Sequence, residues 1–129
     1  MNDGANVILD DDQLYRRLSS HQINPDGSVN SSAFKRGDVY ETMISVDVAR
    51  MTTPEASVER AKKAGVKLGG FGAGRARAFG FSVNHNPLPD NAAHALVEGE
   101  NNKAKSRELA KWVSVLPGVE SRGPLNAHH

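Results

Sequence analysis

The chain has 129 residues, 38% of them hydrophobic and 24% charged, with a formal net charge of +1 and no cysteine. That length suits one domain burying about two-thirds of its unfolded surface, and the missing thiols exclude disulfides, thiolate metal sites and cysteine nucleophiles. No apolar run approaches the ~20 residues that span a bilayer, and the first six residues lack the basic and apolar regions of a secretory signal, so a cytoplasmic protein without membrane contact is expected.

The small net charge hides an asymmetry. Asp10, Asp11 and Asp12 make the N-terminus acidic, whereas Arg60, Lys62, Lys63, Lys67, Arg75 and Arg77 face only Glu59 between positions 59 and 77. A basic stripe of this kind attracts phosphates, although a solvated helix face accounts for it more simply.

In chain order, residues 1–13 read as a frayed end. Leu14-Tyr-Arg-Arg-Leu18 fits a strand or a single helical turn. Asn24-Pro-Asp-Gly27 and Lys35-Arg-Gly-Asp38 are turn signals, because proline presets one dihedral and glycine accepts a positive one. Met43-Ile-Ser-Val-Asp-Val48 alternates with period two, which puts Ile44, Val46 and Val48 on one face and Met43, Ser45 and Asp47 on the other. Thr52 or Thr53, Pro54 and Glu55 supply a capping hydroxyl, a first-turn proline and an early acid, so a helix is expected from Pro54 to Ala64, stopped by Gly65.

Gly69-Gly-Phe-Gly-Ala-Gly74 lacks the Lys-Ser/Thr pair of a phosphate loop and the spacing of a dinucleotide fingerprint. Strands are expected over 75–83 and 93–98, joined by the proline-bearing loop between them. A helix opening at Asn101 or Asn102 and a closing strand over 112–116 complete the pattern, with Leu96 and Trp112 in the core beside Ile44, Val46 and Val48. Residues 118–129, ending in His128 and His129, read as a tail. The order predicts an α+β fold over residues 14–117, a mostly antiparallel sheet with two helices packed on one face.

Titratable side chains and backbone restriction concentrate between Phe79 and Gly99, where His85, Pro87, Pro89, Asp90 and His94 stand close together. Their spacing matches no recognised ligand motif, so no metal and no cofactor is expected. Imidazole titrates near neutral pH, which makes His94 and His85, with Asp90, the candidate catalytic group. Asp90 or a loop carbonyl is expected to orient the His94 ring towards a cleft also reached by an arginine. Arg16, Arg17 and Arg77 are the candidate ligand-binding residues.

Three likenesses accompany these readings. Arg77-Ala-Phe-Gly-Phe-Ser-Val-Asn84 partly resembles the first RNA-recognition signature of the RRM family, with Ser82 and Asn84 departing from it. Nucleic acid is nevertheless not the expected partner, since aromatic residues make up only 5% of the chain. Arg16, Arg17 and His21 with Ser31, Ser32 and Ser45 weakly resemble ADP-ribosyl-transferring enzymes, but the required glutamate has no clear place. Leu14-Tyr-Arg-Arg, Ser31-Ser-Ala-Phe34, Ile44-Ser-Val and His85-Asn-Pro-Leu-Pro…Ala93-His-Ala together resemble a group of small bacterial proteins with the pattern His-Asp-Pro-x-Pro-x-x-x-Ala-His, and this chain carries Asn86 where that pattern has Asp. That resemblance implies one architecture for the loop and the arginine strand, and no activity.

The leading expectation is a small accessory or binding protein, compatible with a homodimer, that recognises a small molecule or a protein through the His85–His94 loop. The alternative is a small enzyme acting on a phosphate- or nucleotide-containing ligand, with His85 or His94 as acid–base. An enzyme should bring His94, Asp90 and an arginine around a shared cleft, whereas a binding protein should bury the histidines singly or spread them over a flat face.

Overall fold

The computed structural model describes residues 7–124. Its strands are β1 (Gln13–Leu18), β2 (Lys35–Arg36), β3 (Val39–Tyr40), β4 (Met43–Val48), β5 (Ala64–Gly72), β6 (Ser82–His85), β7 (His94–Glu98) and β8 (Ser114–Arg122). The helices are α1 (Pro54–Glu59), α2 (Ala73–Ala78) and α3 (Lys103–Ala110), with short 3-10 turns at Ser20–Gln22, Ser31–Phe34 and Ala49–Met51. Six strands form one antiparallel sheet in the order β6-β7-β4-β1-β5-β8, and β2 and β3 make a separate hairpin across the Gly37-Asp38 turn. The fold is α+β. No helix among the described residues is long and apolar enough to cross a membrane.

Side-chain alternation builds the larger core. Ile44, Val46 and Val48 are fully buried, with Ala95 and Val97 beside them on β7 and Leu14 and Phe71 on β1 and β5. Ala73 and Ala76 of α2, Leu109 and Ala110 of α3, and Phe34 close this face, with Phe34 and Phe71 in an edge-to-face pair 6.0 Å apart. The opposite face carries a smaller cluster, in which Val58 of α1 packs with Val66 and Leu68 of β5 and with Tyr15, Leu116 and Val119. The helices are therefore divided between the two faces.

Thr53 caps α1 by accepting from the Ala56 amide at 3.1 Å, and Pro54 occupies the first turn, as the sequence predicts. The helix ends at Glu59, before the expected Ala64, because β5 begins there and pairs with both β1 and β8. Strand-like alternation over 75–83 also misleads: Ala73–Ala78 is α2, and only Ser82–His85 is strand. Helix formation there turns Ala73 and Ala76 onto the core of the long β5, a gain that loose alternation cannot reveal.

Trp112 does not join the core and is 49% exposed, whereas Leu96 lies opposite Ser45 on the face away from Val46. Both ends of the described residues are better held than expected. Ile8 and Asp12 are buried, and β8 continues past Pro117-Gly118 to Arg122, with Glu120 and Arg122 still paired to β5. Residues 1–6 and 125–129, including His128 and His129, lie outside the described residues.

Candidate functional site

Asp47 is the centre of the site, and it is fully buried. Strand alternation gives it to the polar face of β4, where α1 then covers it. Its Oδ2 accepts from Ser57 Oγ at 2.6 Å, from Arg17 Nη1 at 3.0 Å and from Arg60 Nη1 at 3.0 Å, while its Oδ1 accepts from Asn91 Nδ2 at 2.7 Å. One carboxylate thus ties together β1, β4, α1 and the 86–93 loop. Burial alone would raise the Asp47 pKa, but the Ser57 and Asn91 hydrogen bonds and the Arg17 and Arg60 charges outweigh it and hold the carboxyl below its ordinary value.

The loop is closed on itself before it reaches Asp47. Leu88 and Asn91 exchange two backbone hydrogen bonds of 3.0 Å each, around Pro89 and Asp90 at the turn. Pro87 and Pro89 fix their own φ and bias their predecessors to extended backbone, which limits the turn further. Asn91 Oδ1 also accepts from the Ala93 amide at 3.1 Å, which leaves its amide group aimed at Asp47.

His94 opens β7 directly across from Asp47. Its Nδ1 lies 2.8 Å from the Asn86 carbonyl oxygen and 3.1 Å from Asn86 Oδ1. A carbonyl only accepts, so Nδ1 carries a proton, and the tautomer this selects has its lone pair on Nε2. Nε2 has no protein partner among the described residues, and it is not a buried orphan, so it keeps contact with solvent although the residue is only 6% exposed. The loop carbonyl takes the orienting role that the sequence divided between it and Asp90. The Leu88–Asn91 turn carries Asp90 to an exposed tip instead.

Arg17, Ser45, Arg60, Lys62, Asp90 and His94 line one cleft of about 320 Å³ beside Leu88 and Asn91. Three cations there meet two carboxylates, one of them the buried Asp47. The hydrogen bonds of Arg17 and Arg60 use Nη1 of each, to Asp47 and to Ser57 O and Thr52 Oγ1 respectively. Nε and Nη2 of both guanidinium groups have no protein partner among the described residues. Lys62 at the same edge holds φ at 57°, alone in positive φ among the described non-glycine residues, a conformation that costs an L-residue about 1–2 kcal/mol.

The other candidate residues stand elsewhere. His85 pairs with Ala95 on β7 and so belongs to the face away from His94; its Nε2 lies 2.7 Å from the Ala92 carbonyl oxygen. Arg77 is on α2, where it donates to Asp10 Oδ1 at 2.7 Å, Ile8 O at 2.5 Å and Val83 O at 3.2 Å, pinning the N-terminal segment to β6. Because α2 replaces the expected strand, the RRM-like stretch forms no aromatic platform. Arg16 faces the larger core and donates to Glu41, to Ala33 O at 3.0 Å and to Ser45 O at 2.9 Å. Ser31 approaches Tyr40, and Ser45 is the one serine of the earlier grouping that reaches the cleft. Among the described residues no three His, Asp or Glu side chains gather in a way that could hold a metal ion.

Sequence reading missed Asp47, Ser57 and Asn91, and met Arg60 only as part of the basic stripe. The only signal for Asp47 was an acid in the middle of a strand otherwise made for burial, and it became informative once α1 was seen to lie over it. Comparison with protein-family models, with curated proteins and with solved structures finds no match to this chain.

Proposed function

We propose that the cleft binds a phosphate-containing small molecule, a nucleotide among them, and that His94 acts on it as an acid–base. The observation that carries this reading is the sharing of Asp47 by two arginines beside the unpaired Nε2 of His94. A carboxylate neutralises one guanidinium and fixes both. The second positive charge and the forked donors that no described residue engages then remain for an anion, which guanidinium groups bind in bidentate fashion. His94 is held in the tautomer whose Nε2 takes a proton from a ligand hydroxyl; once protonated, it can return one to a leaving oxygen. The gathering of His94, Asp90 and Arg17 around one cleft favours this reading over a flat recognition surface.

The test combines thermal unfolding with NMR of His94 under titration by inorganic phosphate and by mononucleotides, with chloride as the control. A ligand at 100 times its dissociation constant should add about 2.7 kcal/mol of stability. The Nε2 side of His94 should respond, and Arg60→Ala should abolish both effects. Stabilisation that survives Arg60→Ala, or no response to any of these anions, would overturn the reading.

A further inference from the structure

A larger hollow lies on the same sheet face as the Asp47 cleft, spanning the next three strands. The strand register runs Asp47–Tyr15–Gly70–Ser114 across β4, β1, β5 and β8. The hollow measures about 860 Å³, and Tyr15, Gly70, Gly72, Arg75, Trp112 and Ser114 contribute to its lining. We propose that it is a binding site for a flat heteroaromatic ring of the nucleobase class.

The glycines from 69 to 74, of which 70, 72 and 74 line the hollow, separate into two kinds. A Cβ on Gly69 would come within 2.4 Å of Val113 Cγ1 and 2.8 Å of Leu18 Cδ1, and one on Gly74 within 2.9 Å of Asp10 Cβ, so packing excludes side chains at both. Gly70 and Gly72 differ. A Cβ on Gly72 would make ordinary contacts, 3.6 Å from Gln13 Nε2 and 3.8 Å from Asp10 O, and one on Gly70 would press on the flexible end of Leu116 at 3.3 Å and touch Leu14 O and Ser114 O at 4.0 Å. Neither has a positive φ. The fold does not need these two glycines; what they provide is a strip of sheet backbone bare enough for a planar group to lie on.

The walls suit the same occupant. Trp112 is about half exposed, and the Arg75 guanidinium lies over its ring, 3.4 Å from the centroid. Arg75 has no ion pair among the described residues, so this is an existing stack of two flat groups that a third can extend. Polar side-chain atoms of Gln13, Tyr15 and Ser114 have no hydrogen-bond partner among the described residues. Together they offer donors and acceptors to the edge of a ring whose faces are apolar. Volume, apolar walls and a few convergent polar groups are the ordinary make-up of a small-molecule site.

Trp112 is the only tryptophan in the chain, so its fluorescence reads this hollow directly. Titration with adenosine, guanosine, cytidine and uridine should give saturable quenching by at least one of them, and the backbone amides of Gly70, Gly72 and Ser114 should shift in parallel NMR spectra. Gly72→Val should weaken that affinity at least tenfold with an unchanged Tm. Nucleosides carry no phosphate, so the outcome is separate from that of the anion cleft, and inorganic phosphate should leave Trp112 unaffected. If none of the four quenches Trp112, or if the amide shifts fall outside the hollow, the proposal is overturned; the amide map also decides the matter should Gly72→Val fail to fold.

Discussion

Arg16 and Arg17 are adjacent in sequence and end in opposite situations. Arg16 enters the larger core, where β1 and β4 part company after Tyr15, and each of its guanidinium nitrogens is spent: on Glu41, on the Ala33 carbonyl and on the Ser45 carbonyl. Burial lowers its pKa, while the adjoining Glu41 carboxylate opposes that shift. Arg17, on the other face, shares a single carboxylate with Arg60 and keeps donors in reserve. Both arginines are largely covered and both are paired, so neither burial nor pairing separates them. The difference lies in stoichiometry. A one-to-one pair with every guanidinium nitrogen engaged is a repair to the sheet, and a two-to-one pair with nitrogens left over marks a candidate site.

The most severe way to break this contrast is to move the carboxylate by one residue. Asp47 is tolerated in full burial because four groups donate to it, whereas Val46 next door meets only apolar neighbours. Val46→Asp should cost several kcal/mol and leave the chain unfolded by circular dichroism; a cooperatively folded variant would show that the faces are misassigned.

Glu41→Ala should come next, since it leaves the buried Arg16 charge uncompensated. A loss of about 3 kcal/mol in denaturant unfolding is expected, with phosphate binding unchanged because Glu41 takes no part in the cleft. Arg60→Ala should show the reverse balance. Arg17 still compensates Asp47, so stability should fall by only about 1 kcal/mol, while phosphate binding should be lost in calorimetry.

A pH series sharpens the comparison with the smallest perturbation. The Asp47 pKa is lower in the folded protein than its ordinary 3.8, so the folded state binds its proton less readily than the unfolded chain does. The stability this contributes is complete above the unfolded pKa and is lost as pH falls through the folded one. Asp12, whose carboxyl is likewise held low against burial by the Arg50 and Leu9 hydrogen bonds and nearby positive charge, adds to the same acid limb. Tm should therefore decline below about pH 4, and Asp47→Asn should flatten that decline; an unaltered slope would mean that the carboxylate is not held as described.

The sequence by itself determined the parts governed by short-range rules. Period-two alternation fixed the buried face of β4, capping chemistry fixed the start of α1, and the Asn24–Gly27 and Lys35–Asp38 signals became turns, with positive φ at Gly27 and Gly37. Two prolines marked the loop that reaches the candidate site, and His94 and Arg17 were picked out from it and from β1. Tertiary structure decided the rest. It turned 73–78 into a helix because β5 offered those alanines a core. It sent His85 and His94 to opposite faces because adjacent positions in the β6–β7 register point opposite ways. It gave Asp47 its arginines because β1 pairs beside β4 and α1, packed over β1, β5 and β8, brings Ser57 and Arg60 to the polar face of β4, which alternation alone assigns to water. Strand pairing and loop closure join residues 30 and 44 positions away from Asp47, on Arg17 and Asn91, and no local pattern records such partners.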